Sequence, residues 1–289
     1  MHVRDQNAGS QTDSVPVASR QSAQVTGVGS GAVAMYTGDL QGAEFIHADL
    51  SSSRFRLAEL AGVVMRGVNL AGADIDGEID GLRINGVEVG PLVEAELARR
   101  EPGRALRHAT DPAGLQAAWA ALEETWAATY DRVAAMPAGT ADLSVDGEWS
   151  FAQTLRHLVF ATDGWLCLAI LDRDNPFHPW GLPFTEFLGY ASQLGVDLSA
   201  TPAYQEVRKV RADRVAMVRD FLASATPERL AEICGAPPWE GDQELDVLTC
   251  LRVIIDEEWE HHRFAVRDLD LIEAGPPLVD RPVAWGEVS

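Results

Sequence analysis

The chain has few cysteines, little positive charge and no long uninterrupted apolar run. Its three cysteines, Cys167, Cys234 and Cys250, form no C-x-x-C pair. Cys167 and Cys250 fall in apolar, helix-patterned stretches and read as buried free thiols, a usage that fits a reducing, cytosolic compartment. Lys and Arg number 23 against 44 Asp and Glu, leaving a formal net charge of −21. That balance argues against sequence-independent binding to nucleic acid or an anionic membrane, both of which need a positive face. It favours solubility. The longest apolar stretch, residues 158–171, is interrupted by Asp163 and too short to cross a bilayer. Residues 1–34 lack the continuous apolar core of a signal peptide, are rich in Ser, Gln, Gly and Val without a period, and are expected to be disordered. No G-x-G-x-x-G, Walker or G-x-S-x-G motif occurs.

What the sequence does have is a repeat. Large apolar residues stand at every fifth position: Leu40, Phe45, Leu50, Phe55, Leu60, Met65, Leu70 and Ile75. Two positions before each is a small or β-branched residue, from Gly38 and Ala43 to Val68 and Ala73. Neither an α-helix nor a flat strand has a period of five. A solenoid with one repeat per side does. The segments AEFIH, ADLSS, AELAG, VNLAG and ADIDG resemble the pentapeptide-repeat family and its pattern A(D/N)LXX. The resemblance implies a right-handed quadrilateral β-helix over 35–90, about two coils long, with the large residues stacked inward. Repeats of this kind supply architecture, and function comes only from what they display. Two coils are too few for the acidic solenoid to imitate much duplex nucleic acid.

The period then changes. Residues 81–89 alternate apolar and polar around Asn85-Gly86 and predict a short strand or turn ending the solenoid. A short helix is expected from Pro91 to Arg100, within a connection spanning about 91–110. Helical periodicity begins at Asp111, an N-cap followed by Pro112. Four long amphipathic helices are predicted over about 111–136, 150–171, 203–224 and 244–273, with short helices near 185–194 and 227–233 and a C-terminal tail over 274–289. The fold class expected is therefore α+β multidomain, with the β-helix followed by an all-α four-helix bundle over 111–273.

The fourth long helix carries the chemistry. Its seam, Leu248, Leu251, Ile255, Glu258, His262, Ala265, Leu269 and Ile272, is spaced 3-4-3-4-3-4-3 and should face the bundle core. A carboxylate and an imidazole one turn apart in such a seam must be paired, hydrogen-bonded or bound to metal. Glu257 and His261 have the same spacing beside the seam and are the second choice. His157 on the second long helix offers a third group, and Ala161 and Gly164 near it could leave room for a pocket. A three-ligand set of His157, Glu258 and His262 would keep one position open. The alternative is a buried Glu–His hydrogen bond with His157 as an unrelated core histidine. Asp163 is expected to pair with Arg156 or with an arginine of the fourth long helix. His178, in the loop Pro176-Phe177-His178-Pro179, reads either as a pocket lip or as a turn cap. Arg263 and Arg267 read either as an anion-binding pair or as surface ion pairs.

The run Trp149-Ser150-Phe151 leading into Thr154-Leu155-Arg156-His157-Leu158, that proline-rich loop, and Glu257-Glu258-Trp259-Glu260-His261-His262-Arg263 together resemble the DinB-like (DinB/YfiT) superfamily. The likeness includes its mycothiol-dependent maleylpyruvate isomerase branch and covers about 111–273. It implies one divalent metal, zinc first, with Ni, Mn or Fe also suited to a site containing Glu. It also implies a low-molecular-weight thiol such as mycothiol acting on a small electrophile, with that thiol and electrophile as partners and no nucleic acid or membrane. A homodimer is admitted. The alternative function is a non-catalytic interaction or structural protein.

Overall fold

The computed structural model describes residues 39–275 except 57 and 242. The tail expected over 1–34, and most of that over 274–289, lie outside the described residues. The chain divides into two compact units, Met1–Ile75 and Asp76–Ser289.

The first unit is a succession of turns at ten-residue spacing. The carbonyls of Leu40, Leu50, Leu60 and Leu70 accept from the N–H groups of Ala43, Ser53, Val63 and Ala73 at 3.0, 3.0, 3.1 and 3.0 Å. At the third residue of these turns φ is positive at Gly42, Ser52, Gly62 and Gly72, the conformation a type II turn demands. The polar residue before each leucine closes the turn. The side chains of Asp39, Asp49, Glu59 and Asn69 accept from the backbone two residues on, at 2.8, 3.0, 2.7 and 3.0 Å. The large apolar ladder is not buried as expected. Its exposure runs from 43% at Leu60 to 61% at Phe55.

The second unit begins with a hairpin, β1 (Arg83–Ile84) and β2 (Val87–Glu88), paired antiparallel. Asn85 and Gly86 form its turn, both at positive φ, as a two-residue type I′ connection requires. α1 (Gly90–Arg100) follows, then a 3₁₀ segment, Pro102–His108. This segment, expected to be a connection, packs on the bundle, with Arg104 buried and hydrogen-bonded to Glu260 at 2.5 Å.

The bundle is made of α2 (Pro112–Ala135), α3 (Phe151–Thr162), α4 (Tyr204–Ser224) and α6 (Val247–Ala274). Asp111, Ser150 and Asp246 cap α2, α3 and α6 through their side chains, and Ser150 with Gln153 completes a capping box. α3 continues into a wider π-helical stretch, Asp163–Ile170, where a plain α-helix was expected. At that widening the fully buried Asp163 accepts from Arg214 (2.8 Å) and from the His178 backbone (2.8 Å). Its partner is thus an arginine of the third long helix rather than of the fourth. α5 (Pro227–Leu230) and a second hairpin, β3 (Ile233–Cys234) with β4 (Leu245–Asp246), lead into α6. The main core joins Leu115, Trp119 and Leu122 of α2 to Leu251, Ile254 and Trp259 of α6 and Leu166 of the π-helical stretch.

Candidate metal centre

On α6, successive residues point about 100° apart, so Glu257 and Glu258 face different neighbours, as do His261 and His262. The structure brings His157 together with Glu257 and His261, not with Glu258 and His262. One ligating atom from each of His157, Glu257 and His261 lies within 4.8 Å of the other two. Glu257 Oε2 is 3.3 Å from His157 Nε2 and 3.1 Å from His261 Nε2. Donors 2.0–2.1 Å from a tetrahedral metal stand about 3.3 Å apart, so both Glu257 distances already match such a site.

The protonation pattern points the same way. His157 Nδ1 lies 2.9 Å from the Leu182 carbonyl, which can only accept, so Nδ1 carries the hydrogen. In the neutral ring that leaves a lone pair on Nε2, facing a carboxylate oxygen. Two acceptors held face to face require a cation between them, either a second ring proton or a metal ion. The Leu182 contact is the kind of outer hydrogen bond that orients metal-ligating histidines. Arg156, the residue before His157, donates to the Trp180 and Ala200 carbonyls at 2.8 and 3.1 Å and so holds the loop that carries Leu182.

Trp149 covers the cluster, its ring 4.7 Å from that of His157 and 5.9 Å from that of His261. Side-chain exposure rises from 6% at His157 to 14% at His261 and 32% at Glu257, so the carboxylate marks the open side. Burial opposes ionisation of Glu257, but the two imidazoles outweigh it and hold the carboxyl well below its usual range. Burial and the neighbouring His157 ring pull His261 down, against Glu257.

Glu258 and His262 are in the seam, 1% and 4% exposed, as the spacing required, and each meets one partner on another helix there. Glu258 pairs with Arg211 of α4. His262 Nε2 meets the Thr129 hydroxyl of α2 at 2.8 Å, and burial pushes its pKa down to about 4. The group that could hold an ion is therefore His157 with Glu257 and His261 of the stripe beside the seam, and not the expected His157, Glu258 and His262. A ligand cluster needs an open side, and a 3-4 seam selects the residues that have none. The room expected at Ala161 and Gly164 is also absent, because a Cβ on Gly164 would lie 2.4 Å from Trp239 Cη2. His178 acts as a turn cap, its Nδ1 accepting from the Trp180 N–H at 3.1 Å. Arg263 and Arg267 are engaged by acids: Arg263 by Glu260 (2.8 Å) and Asp76, Arg267 by Asp76 (2.7 Å), Asp268 (2.8 Å) and Glu148 (2.5 Å).

A family profile described as the DinB superfamily matches residues 121–265, the stretch that contains all three clustered groups. The chain belongs to the DinB superfamily. Eight copies of the pentapeptide repeat match residues 39–77. No curated protein and no solved structure matches the chain. The DinB bundle of this protein thus has a His-Glu-His cluster of metal-binding type between α3 and α6, preceded in the chain by pentapeptide repeats. No helix among the described residues is long and apolar enough to cross a membrane.

Proposed function

We propose that this DinB bundle is a divalent-metal enzyme domain that uses a low-molecular-weight thiol on a small electrophile, with His157, Glu257 and His261 as the metal ligands. The observation that carries the reading is His157 Nε2 facing the Glu257 carboxylate at 3.3 Å while Nδ1 is taken by the Leu182 carbonyl. Two nitrogens and one oxygen suit zinc, and also Ni, Mn or Fe. A metal held there supplies Lewis acidity and favours the thiolate form of a bound thiol. The protein's own contribution is orientation. Leu182 fixes the His157 tautomer, Trp149 restricts water on one side, and the partly exposed Glu257 leaves an approach for a small ligand. The repeats fit a short quadrilateral β-helix in their five-residue period and ten-residue turn spacing.

Metal analysis of protein purified without added metal tests the ligand set. Near-stoichiometric metal is expected in the wild type and in His262→Gln, with loss in His157→Ala, Glu257→Ala and His261→Ala. Metal retained by His261→Ala and lost from His262→Gln would return the site to the seam. The thiol reading is tested separately, by mycothiol, bacillithiol, glutathione or cysteine adding to a model electrophile. Rate enhancement that disappears on chelation is expected. Metal-loaded protein that neither binds nor accelerates any of the four would favour the non-catalytic alternative.

A further inference from the structure

The other side of α6 contains a second polar cluster that the metal site does not use. Arg211 and Glu258 lie at the base of a cleft of about 250 Å³ between α2 and α4. The Arg211 side chain is 2% exposed and that of Glu258 1%. Their mutual bond uses Arg211 Nη2 and Glu258 Oε1 only. Arg211 Nε and Nη1 and Glu258 Oε2 have no hydrogen-bond partner, although all three are buried. An unmade hydrogen bond on a buried charged group costs more than one on a neutral group, so such atoms call for an occupant.

The walls indicate which occupant. Trp119 and Trp126 line one side; the Trp119 indole N–H has no partner, and that of Trp126 faces the Glu258 carboxylate. The Arg208 guanidinium lies over the Tyr130 ring at 4.2 Å, which adds positive charge at the mouth. Arg219 at the rim is already taken by Glu123 at 2.9 Å. A dry apolar cavity of about 150 Å³ accepts benzene, so this cleft has room for one ring and a polar group. Arg211 Nε and Nη1 lie on opposite edges of the guanidinium, so one of them suits a single carboxylate oxygen, and planar aromatic walls suit a planar ring.

We propose that the α2–α4 cleft binds a single-ring aromatic carboxylic acid, with the carboxylate on Arg211 and the ring against Trp119 and Trp126. Glu258 Oε2 is placed to accept from a hydroxyl or amine on the same ligand. The site is independent of the metal cluster, since Glu257 and Glu258 point to different sides of α6.

The test uses the full chain, labelled with ¹⁵N at tryptophan and arginine, and three probes: benzoate, benzamide and acetate. Benzoate should shift the Trp119 and Trp126 indole signals and the Arg211 Nε signal saturably, with a Kd of about 1 mM or tighter. Benzamide, without the charge, and acetate, without the ring, should each bind at least about tenfold more weakly, a loss of about 1.4 kcal/mol. Ala212→Phe and, on the facing helix, Ala127→Phe fill the cleft from exposed positions and spare the core. Either should abolish the benzoate shifts and leave zinc content unchanged. No saturable benzoate shift would overturn the proposal and leave the cleft to water. Equal affinity for benzamide would overturn the role of Arg211, equal affinity for acetate that of the ring, and unaltered binding in both filled variants the location.

Discussion

Two consecutive pairs on α6, Glu257 with Glu258 and His261 with His262, show how one residue of offset divides chemistry from packing. Glu258 is buried against Arg211, so removing it strands a charge in the core. Glu258→Ala should cost about 3–5 kcal/mol of stability, read from urea midpoints. Glu257→Ala should cost far less when both are compared in metal-free protein, because Glu257 is 32% exposed, and the variant purified without chelator should not retain metal. If the two variants were equally destabilised, this division of roles would be wrong. The 3-4 seam made the burial of Glu258 and His262 legible in the sequence. It could not show that Arg211 and Thr129 wait for them, because those partners come from helices about 50 and 130 positions away along the chain. The signal that does find the clustered Glu257 and His261 is the same i, i+4 spacing on the neighbouring stripe, where a side chain is half in and half out. Cys167 gives a residue-scale check of a different kind. Burial and the adjacent Asp163 push its thiol up to about 11. At pH 8.5 iodoacetamide should therefore modify the partly exposed Cys234 first, and Cys167 only on unfolding, as peptide mapping would reveal.

At the scale of elements, the start of α2 was legible, because the Asp111 cap is local chemistry. The caps Ser150 and Asp246 were not singled out in the sequence, and α6 starts three residues later than expected. Asp111, Ser150 and Asp246 each accept from the backbone three residues on. Ser150→Ala should cost about 1 kcal/mol, and since α3 carries His157 it should also weaken metal retention, measured by competition with a chelator. The widened turn after Thr162 was not legible, since it depends on Asp163 meeting Arg214 from α4. Nor was the use of Gly164. A glycine inside a helix can leave room for a ligand or for a neighbour, and only tertiary structure distinguishes the two. Here the neighbour is Trp239, which packs against Phe160 with ring centres 5.1 Å apart. Helix propensity alone makes Gly164→Ala a gain of about 1 kcal/mol. The contact with Trp239 should reverse the sign, to a net loss of about 1–3 kcal/mol. Thermal unfolding of Gly164→Ala, alone and with Trp239→Leu, decides between them. A stabilised single variant would mean that the space is free after all, and recovery in the double variant would locate the clash.

For the whole molecule, the two units differ in how they are held together, and their stabilities should differ accordingly. The bundle has a continuous core in which Leu115, Leu166 and Leu251 are at most 1% exposed. The repeats have an apolar ladder and a hydrogen-bonded turn every ten residues, but every ladder side chain remains exposed. Period and turn chemistry are local, so they were readable from the sequence. Depth of burial depends on what packs over the ladder, which the period alone does not fix. Leu251→Ala in the bundle should cost about 2–5 kcal/mol. Leu60→Ala, 43% exposed in the native state, should cost only about 1 kcal/mol, since roughly half of its transfer free energy is realised. Hydrogen exchange followed by mass spectrometry can read both on the same protein. Peptides from residues 39–75 should exchange well before those of α2, α3 and α6. Leu60→Ala should speed exchange only in the repeats, and Leu251→Ala only in the bundle. A fragment of residues 76–289 should then keep the melting temperature and the metal stoichiometry of the bundle. Loss of either in that fragment, or bundle peptides that respond to Leu60→Ala, would mean that the two units fold as one cooperative body.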